Sequence, residues 1–491
     1  MRFGPAFAAL LLSVLAAAQE VPECCQAAAK QFPDLVKLST DPNFELPPYY
    51  SLQEAEIKPY CDFTAKNADH VSSIVKIASE HQCPFAVRSG GGMFWPGSSN
   101  IGGGVLINLS ELLEVKLSSD KKVASVGPGV YFADLYPQLA PSGVFLAGGR
   151  MPKIGTGGYM AHGGISYLSY ELGFASETIV NYEVVLADGS MVQANPATNP
   201  DLFWALKWGS TNFGIITRFD IATFPLPSQF FAGIIGYTNL SDSTQKDLTD
   251  KYVKFVDDHS FTKTDFALIS WSKNTDLTGF VVGSLAGNEI PGSTFVPADV
   301  AQPVSDTSGV VPFDQFVKDS IVVVGTEAKR IAWYPVTVKP NTGLLLDIRK
   351  KVYDVCGTLE GHVKGFECII VIQPFTKGFI EASKDAAVYD VLHEANDNLI
   401  LVLVELQWDN GSDDAELDKA VADIQNYSEK TAKERNLFNS FVYPNYALGT
   451  QDFYRNSVSQ PNLTKMQSIR TKYDPKNVFA KLWKGGYKLP Q

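Results

Sequence analysis

Two glycine-rich segments carry the residue pattern best suited to binding a phosphate-bearing cofactor. The first segment, AVRSGGGMFWPGSSN, covers residues 86–100 and contains three successive glycines at 90–92. Consecutive glycines let several amide N–H groups point at one phosphate, because glycine takes positive φ freely and leaves room for the ligand. The second segment, GGRMPKIGTGGYMAHGG, covers residues 148–164. Together they predict two loops that hold the two ends of one large cofactor; the alternative is that both are tight turns.

Acid–base chemistry is predicted for the apolar segment LILVLVELQW, residues 399–408. Strand alternation puts Leu401, Leu403, Glu405 and Gln407 on one face. Glu405 can accept a proton, and burial would raise its pKa toward a useful range. The alternative is that Glu405 is a paired carboxylate at a strand edge. Gln407 cannot abstract a proton, so it could only position a substrate.

Tyr443 and His162 are two further catalytic candidates. Tyr443 could assist hydride abstraction from a substrate hydroxyl, or it could be an aromatic residue of the core. His162 lies in the second glycine segment and could replace lost hydrogen bonds or act as an acid. The six histidines are scattered without metal-ligand spacing, and neither C-x-x-C nor H-E-x-x-H occurs. No metal site is therefore predicted.

Length and composition indicate a globular protein of two domains. A chain of 491 residues exceeds what one hydrophobic core usually supports. With 45% hydrophobic and 19% charged residues, the composition argues against disorder. The net charge of −12 disfavours nucleic acid or an anionic membrane as a partner.

The first eighteen residues predict secretion. MRFGPAFAALLLSVLAAA has one Arg, an apolar run too short to span a bilayer and a small-residue end, which is typical of a signal peptide at 1–18. Six cysteines in a secreted chain predict disulfides, with Cys24 or Cys25 bridged to Cys61 and Cys356 to Cys368 as plausible pairs. Glycosylation sequons begin at Asn108, Asn239, Asn410, Asn426 and Asn462.

Helices and strands alternate from Pro59 onward. Asn67 can cap a helix whose buried face would be Val71, Ile74, Val75 and Ala78. Further helices are predicted at 132–139, 200–207, 246–257, 342–355 and 414–434. Strands are predicted at 84–88, 104–109, 122–126, 182–186, 191–194, 213–224, 230–237, 266–271, 278–285, 368–373 and 399–408. Pro225-Leu226-Pro227 should mark a domain boundary, and residues 443–489 should pack back on the first domain.

The chain resembles the berberine bridge enzyme-like branch of the vanillyl-alcohol oxidase flavoproteins, which have a PCMH-type FAD-binding domain, in its fungal secreted form. The resemblance rests on RSGG, IGTGG, GGIS, EVVLADGS, NPDLFWAL, YPNYA and KYDPKNVF, which begin at positions 88, 154, 163, 183, 199, 443 and 472. It implies a two-lobed α+β fold that binds FAD. The FAD-binding domain would cover 54–227, completed by a C-terminal segment at 435–491. A separate substrate domain of antiparallel sheet and helices would cover 228–434.

The same resemblance implies which residues contact the cofactor. Ser89 to Gly92 would wrap the pyrophosphate, Ile216 would lie near the adenine and Asn445 near the flavin ring. Backbone N–H donors suit a diphosphate that has no lysine nearby. The full set of implied contacts is Arg88, Ser89, Gly90, Gly91, Gly92, Met93, Gly149, Gly155, Thr156, Gly157, Gly158, Gly163, Gly164, Ser166, Ile216 and Asn445.

Several positions depart from the family pattern. Gly92 stands where the family has a histidine covalently bound to the flavin, and Met151 to Ile154 contains no cysteine for a second linkage. The resemblance therefore implies FAD bound without a covalent tether. His162, Leu172 and Trp208 also replace residues usual in the family. These changes predict either compensated drift or a reshaped cofactor cleft.

The resulting functional hypothesis is an FAD-linked oxidoreductase. A small organic substrate would give hydride to the flavin, with dioxygen as acceptor, in fungal secondary-metabolite biosynthesis. Two alternatives remain: a carbohydrate oxidase, or a non-redox isomerase or cyclase on the same fold that uses Glu405, His162 or a tyrosine.

Overall fold

The computed structural model describes residues 21–226, 230–284, 299–312 and 329–491. The predicted signal peptide, Pro227 of the predicted boundary and Leu285 of one predicted strand lie outside the described residues. The described chain has the predicted α+β class, with three main sheets and helices packed on them. No helix among the described residues combines the length and the apolar character needed to cross a membrane.

A small, mostly parallel sheet carries the first glycine segment. Its order is β1-β2-β4-β3, and β2 and β3 both run parallel to β4. The strands are β1 Val36–Leu38, β2 Cys61–Thr64, β3 Phe85–Arg88 and β4 Val105–Asn108, and the helices around them are α1 Glu23–Gln31, α2 Leu52–Ala55 and α3 Ala68–Glu80. The Asn67 side chain caps α3 by accepting from His70 N at 2.9 Å, as predicted. The predicted apolar face of α3 is buried in a core that also contains Phe85 of β3.

A second sheet is antiparallel and contains the strands predicted at 182–186 and 191–194 as a hairpin. Its order is β5-β6-β10-β8-β9. The strands are β5 Val115–Leu117, β6 Val123–Val126, β8 Ile179–Val185, β9 Met191–Ala194 and β10 Ile215–Ala222, and β7 Val144–Phe145 pairs separately with β11 Phe224–Pro225. The helices here are α4 Phe132–Leu139, α5 Thr156–Ala161, α6 Ser169–Leu172 and α7 Pro200–Leu206, with 3-10 turns at Ala140–Ser142 and Ala175–Thr178. The sequence missed β5, and the predicted strand 213–224 is divided into β10 and β11.

A large antiparallel sheet forms the other side of the molecule. Its order is β15-β12-β14-β13-β18-β19-β17-β20, with β16 also paired to β12. The strands are β12 Phe230–Thr238, β13 Asp265–Ser272, β14 Leu277–Ser284, β15 Ser305–Asp306, β16 Gly309–Val311, β17 Arg330–Val338, β18 Glu367–Phe375, β19 Leu399–Trp408 and β20 Phe438–Asn439. The helices are α8 Asp242–Asp258, α9 Thr342–Leu359, α10 Lys377–Ala382, α11 Tyr389–His393 and α12 Asp414–Glu434, with a 3-10 turn at Gly411–Asp413. The sequence missed β17, whose central Pro335 breaks the usual strand pattern.

One face of this sheet is covered by helices. Val402, Val404, Leu406 and Trp408 of β19 are buried in a core that also contains apolar residues of α8, α9 and α12. The opposite β19 face carries Leu403, Glu405 and Gln407. The predicted alternation along this strand is therefore confirmed, and it leaves one face of the sheet free to line a cavity.

The C-terminal segment packs back on the first two sheets, as predicted. Trp483 stacks on Phe85 of β3 with ring centroids 5.9 Å apart. Asn212 donates hydrogen bonds to the Tyr454 hydroxyl at 2.9 Å and to the Tyr487 carbonyl at 2.8 Å. The segment forms helices α13 Phe453–Ser457, α14 Gln460–Tyr473 and α15 Val478–Leu482. The sequence did not reveal α14 because it buries few apolar side chains.

Three disulfides cross-link the described chain. Cys25–Cys61 and Cys356–Cys368 are among the predicted pairs. Cys24 pairs with Cys83, which the sequence analysis did not name. Successive helical residues point about 100° apart, so adjacent cysteines on α1 reach two different partners.

One predicted glycosylation site is wrong. Asn108 lies in β4 with 3% of its surface exposed, and its amide contacts Asp62. A glycan needs a surface asparagine, so this sequon cannot carry one in the folded protein.

Candidate active site

A cavity of about 1260 Å³ extends from the two glycine segments to the face of the large sheet that carries Leu403, Glu405 and Gln407. This volume exceeds the ~300–1,000 Å³ of a site for one drug-sized ligand. The cavity therefore has room for a dinucleotide and a second small molecule together.

The two glycine segments contact each other backbone to backbone. An ideal Cβ placed on Gly90 would lie 2.8 Å from Gly155 Cα, and one placed on Gly155 would lie 2.8 Å from Gly90 Cα. Any side chain at either position would force the loops apart. The amide N–H groups of Gly90, Gly91 and Gly92 donate to no acceptor within the described chain. Three unpaired donors on one loop form the kind of backbone cradle that binds phosphate.

Buried polar side chains hold the first loop in shape. The Glu54 carboxylate accepts hydrogen bonds from Gly97 N at 2.5 Å, Ser99 N at 2.5 Å and the Ser98 hydroxyl at 2.8 Å. Burial raises the pKa of Glu54, and these donors oppose that rise. The sequence analysis did not single out Glu54, because an isolated glutamate in a short helix carries no signal of such a role.

Most of the predicted cofactor residues line this cavity. They are Ser89, Gly90, Gly91, Gly92, Met93, Gly149, Gly155, Gly157, Gly158, Ile216 and Asn445. The four catalytic candidates Glu405, Gln407, Tyr443 and His162 line it as well. The fold thus brings together residues that are more than 300 positions apart in the sequence.

Five predicted cofactor residues do not line the cavity. Arg88 turns away from it, donating to Pro48 O at 2.6 Å and to Ser89 O at 2.9 Å. Thr156 donates its hydroxyl to Val130 O, and Ser166 Oγ accepts from Leu168 N. The remaining two are Gly163 and Gly164. These five residues contact other parts of the protein and so contribute to the shape of the loops, while the cavity is lined by their neighbours.

Trp208 fills space behind the second glycine segment. Its indole is fully buried and packs edge-on against Phe174, with ring centroids 4.7 Å apart. An ideal Cβ on Gly163 would lie 2.3 Å from the Trp208 ring, so the large residue fits because Gly163 has no side chain. Trp208 and Leu172 both lie away from the cavity lining. The replacement of a usual glycine by Trp208 is therefore compensated by packing, and it leaves the cavity open.

His162 is a neutral imidazole in the cavity wall. Its Nε2 lies 2.9 Å from the Ser210 hydroxyl, while Nδ1 has no partner among the described residues. Burial lowers the pKa of His162 to about 4. The ring is therefore uncharged at neutral pH and does not supply an imidazolium acid.

Tyr443, Asn445 and Tyr446 form a connected polar group. Asn445 Nδ2 donates to the Tyr443 hydroxyl oxygen at 3.0 Å and to the carbonyl oxygens of His162 and Tyr159 at 3.2 and 3.3 Å. Burial raises the pKa of Tyr443, so its hydroxyl stays protonated. The hydroxyl oxygen accepts the Asn445 hydrogen bond, and Tyr443 lines the cavity.

Glu405 and Gln407 are coupled on the open face of β19. Gln407 Nε2 donates to Glu405 Oε1 at 2.5 Å, and no ion pair involves Glu405 in the described part of the chain. Burial raises the pKa of Glu405. Since β19 lies between β18 and β17, the alternative of a paired carboxylate at a strand edge is wrong. Glu405 is instead a partly buried carboxylate that lines the cavity and has no ion-pair partner among the described residues.

The sequence analysis did not identify several residues that line the cavity. Tyr50, Trp333 and Tyr446 form an aromatic wall in which the Trp333 ring lies 5.7 Å from Tyr50 and 5.4 Å from Tyr446. Arg150 lies next to this wall. Tyr446 and Arg150 occur inside motifs that were recognised, yet residue type alone did not distinguish them from their neighbours. Trp333 belongs to the strand that was missed.

Known proteins match both the sequence and the fold. Residues 59–195 match the model of the FAD binding domain family. The FAD-dependent monooxygenase tpcD of Cochliobolus heterostrophus is 28% identical over 456 residues, which cover 90% of this chain and 87% of that protein. BBE-like 1 of Physcomitrella patens superposes with a TM-score of 0.78 at 14% identity, and the match covers 95% of this chain and 98% of that chain. Xylooligosaccharide oxidase of Myceliophthora thermophila C1 has a TM-score of 0.76 at 18% identity, covering 93% and 98%.

The fold and the site define a flavin-binding oxidoreductase. The chain contains an FAD binding domain, has the fold of the berberine bridge enzyme-like oxidases, and is an FAD-dependent oxidoreductase. The resemblance predicted from the glycine motifs is confirmed at this level.

We predict that the glycines of the first loop differ in their tolerance of a side chain. Gly90→Ala should lower the flavin content of the purified protein about tenfold, because overpacking against Gly155 costs roughly 1–3 kcal/mol. Gly92→Ala should keep the wild-type content, since its Cβ would meet only Ile154 Cδ1, at 3.3 Å. The measurement is the ratio of absorbance at the flavin and protein bands. Equal flavin content in the two variants would contradict the cradle geometry.

We predict that His162 destabilises the protein in acid. Its pKa is lowered on folding, so between its unfolded value and about 4 the unfolded chain binds more protons. Stability should therefore be full above pH 6.5 and fall as the pH drops to 4. The wild type should lose about 3 kcal/mol more unfolding free energy than His162→Gln over this window. Urea unfolding at both pH values measures the difference, and parallel pH profiles would refute it.

Proposed function

We propose that this protein oxidises a small organic molecule by hydride transfer to non-covalently bound FAD, with dioxygen as the final acceptor. The observation that carries the proposal is the continuity of the cavity, which joins the glycine cradle at one end to Glu405, Gln407 and Tyr443 at the other. A secreted fungal enzyme of secondary metabolism fits the predicted signal peptide, the three disulfides and the fungal relative.

The residues present fit FAD. The unpaired amides of Gly90, Gly91 and Gly92 suit its pyrophosphate, and the close approach of Gly90 to Gly155 keeps side chains out of the cradle. Gly92 provides no side chain that could form a covalent bond. When bound, FAD would supply a hydride acceptor that dioxygen reoxidises, so that the hydride and the proton removed from the substrate hydroxyl together reduce dioxygen to hydrogen peroxide.

We assign the cofactor to a domain at 54–227 completed by 435–491, and the substrate to a domain at 228–434. The strands β12 to β19, whose open face lines the cavity, fall within the second range. The predicted cofactor loops and Asn445 fall within the first. In this division the substrate would lie between the flavin and the large sheet.

The chain's own residues would activate and hold the substrate. Glu405 would take the proton of a substrate hydroxyl, since burial and the absence of a cationic partner in the described chain raise its affinity for a proton. Gln407 would keep the carboxylate oriented through its 2.5 Å hydrogen bond. Tyr443 would keep its proton and donate a hydrogen bond to a substrate oxygen. The walls would exclude water from the reacting atoms.

An apolar metabolite fits the substrate end better than a carbohydrate. The apolar side chains on the sheet face around Glu405 are Leu268, Val281, Ile331, Ile369, Val371 and Leu403, and the polar ones are Ser270, Lys329, Glu367 and Gln407. A sugar hydroxyl facing the apolar group would lose its hydrogen bonds to water without replacement. The carbohydrate alternative therefore receives less support from the cavity, although the fold is shared with a carbohydrate oxidase.

We predict that Glu405→Gln slows substrate-driven flavin reduction at unchanged flavin content. Loss of a general base costs about 10²–10⁴ in rate, so bleaching of the flavin band under anaerobic conditions should slow at least about 100-fold. The trial substrates are benzylic alcohols, phenols and xylo-oligosaccharides. Glu394→Gln, at an exposed glutamate far from the cavity, is the matched control and should bleach at the wild-type rate. Product formation without bleaching would instead support the isomerase or cyclase alternative and refute hydride transfer.

A further inference from the structure

Arg150 brings a positive charge into the cavity wall beside the aromatic residues. Its Nη2 donates to Gln373 Oε1 at 2.6 Å and to the Tyr446 hydroxyl at 3.3 Å. These are the side-chain hydrogen bonds that its guanidinium makes within the described chain. A guanidinium has five N–H donors, so Nε and Nη1 remain available to a ligand.

No carboxylate neutralises Arg150 among the described residues. Lys329, the other cation that lines the cavity, pairs with Asp409 at 2.6 Å. Arg330 and Arg218 also pair with carboxylates. A cation withdrawn from water without a counter-charge is costly. Arg150 is therefore an unmatched charge at the site where a ligand would bind.

The tyrosines around Arg150 do not supply the missing negative charge. Tyr446 accepts a hydrogen bond from the guanidinium, Tyr167 donates one to the Arg150 carbonyl oxygen, and Tyr170 and Tyr159 also interact electrostatically with Arg150. Burial raises the pKa of Tyr159 and of Tyr170, so both stay neutral. The surroundings are polar enough to orient the guanidinium, but they leave its charge uncompensated.

The aromatic wall limits the shape of a molecule that could bind the Arg150 guanidinium. The Tyr446 ring lies edge-on to Tyr443 at 4.9 Å and edge-on to Trp333 at 5.4 Å. Trp333 is the direct cross-strand neighbour of Glu405. A flat molecule lying along this wall would therefore have Arg150 at one edge and Glu405 near the other.

We propose that Arg150 determines substrate specificity by binding an anionic oxygen of a planar, largely apolar substrate. Carboxylate, phenolate and enolate oxygens all have this chemistry, and a neutral sugar does not. This inference rests on the proposed function, because it names the substrate class of the same site. The same positive charge could also stabilise the negative charge that FAD gains on reduction. The test must therefore distinguish an anionic substrate oxygen from the reduced cofactor.

The test compares benzoate with its neutral isostere benzamide in the purified holoenzyme. Dissociation constants come from isothermal titration calorimetry, which requires no turnover. We expect the wild type to bind benzoate at least tenfold more tightly than benzamide. Arg150→Met should reduce this ratio to near one and leave benzamide affinity within about threefold, because only the charge contact is lost. Lys329→Met removes a cavity cation that is already paired, so it should keep the wild-type ratio.

Two results would overturn the inference. One is a wild type that binds benzoate no better than benzamide. The other is an Arg150→Met variant that keeps the wild-type ratio while the reduction potential of its flavin falls, which would assign the charge to the cofactor. A protein that binds benzoate selectively but shows no flavin reduction would refute the proposed function and leave the Arg150 assignment standing.

Discussion

The approach of Gly90 to Gly155 sets the geometry on which the rest of the site depends. These two residues lie in different loops, and their backbones come so close that a Cβ on either would reach the other's Cα at 2.8 Å. The contact holds two loops side by side and leaves the amides of residues 90–92 without an acceptor in the described chain. Glu54 below the first loop and Trp208 behind the second keep both loops in this position.

The large sheet supplies the other half of the site because its two faces differ. Along β19, one set of alternating residues packs against helices while the other set faces the cavity. A rigid sheet holds Glu405 and Gln407 more precisely than a loop would. The unpaired charges at this end, the Glu405 carboxylate and the Arg150 guanidinium, are costly for stability. Their cost is consistent with a site that gains its missing partners only when substrate binds.

Much of this arrangement could be predicted from sequence, and the failures have physical causes. Three features were predicted correctly: the glycine loops, the alternation in β19 and the capped helix α3. Each depends on residues that are close together in the sequence, so the sequence pattern is enough to predict it. Trp333 was missed because Pro335 interrupts the strand pattern around it. The Cys24–Cys83 disulfide was missed because cysteine spacing does not determine pairing. Arg150 was visible in a recognised motif, but its isolation from carboxylates depends on residues distant in the sequence. The lack of a carboxylate near Arg150 arises only in the folded protein, so the residues next to Arg150 in the sequence do not indicate it.

Acid precipitation of the purified protein tests most directly whether the glycine cradle holds FAD without a tether. The yellow colour and the FAD, identified by chromatography, should appear in the supernatant in about equimolar amount to the protein, and the pellet should be colourless. Flavin retained in the pellet would contradict non-covalent binding at Gly92. A purified protein that contains no FAD would contradict the cradle itself.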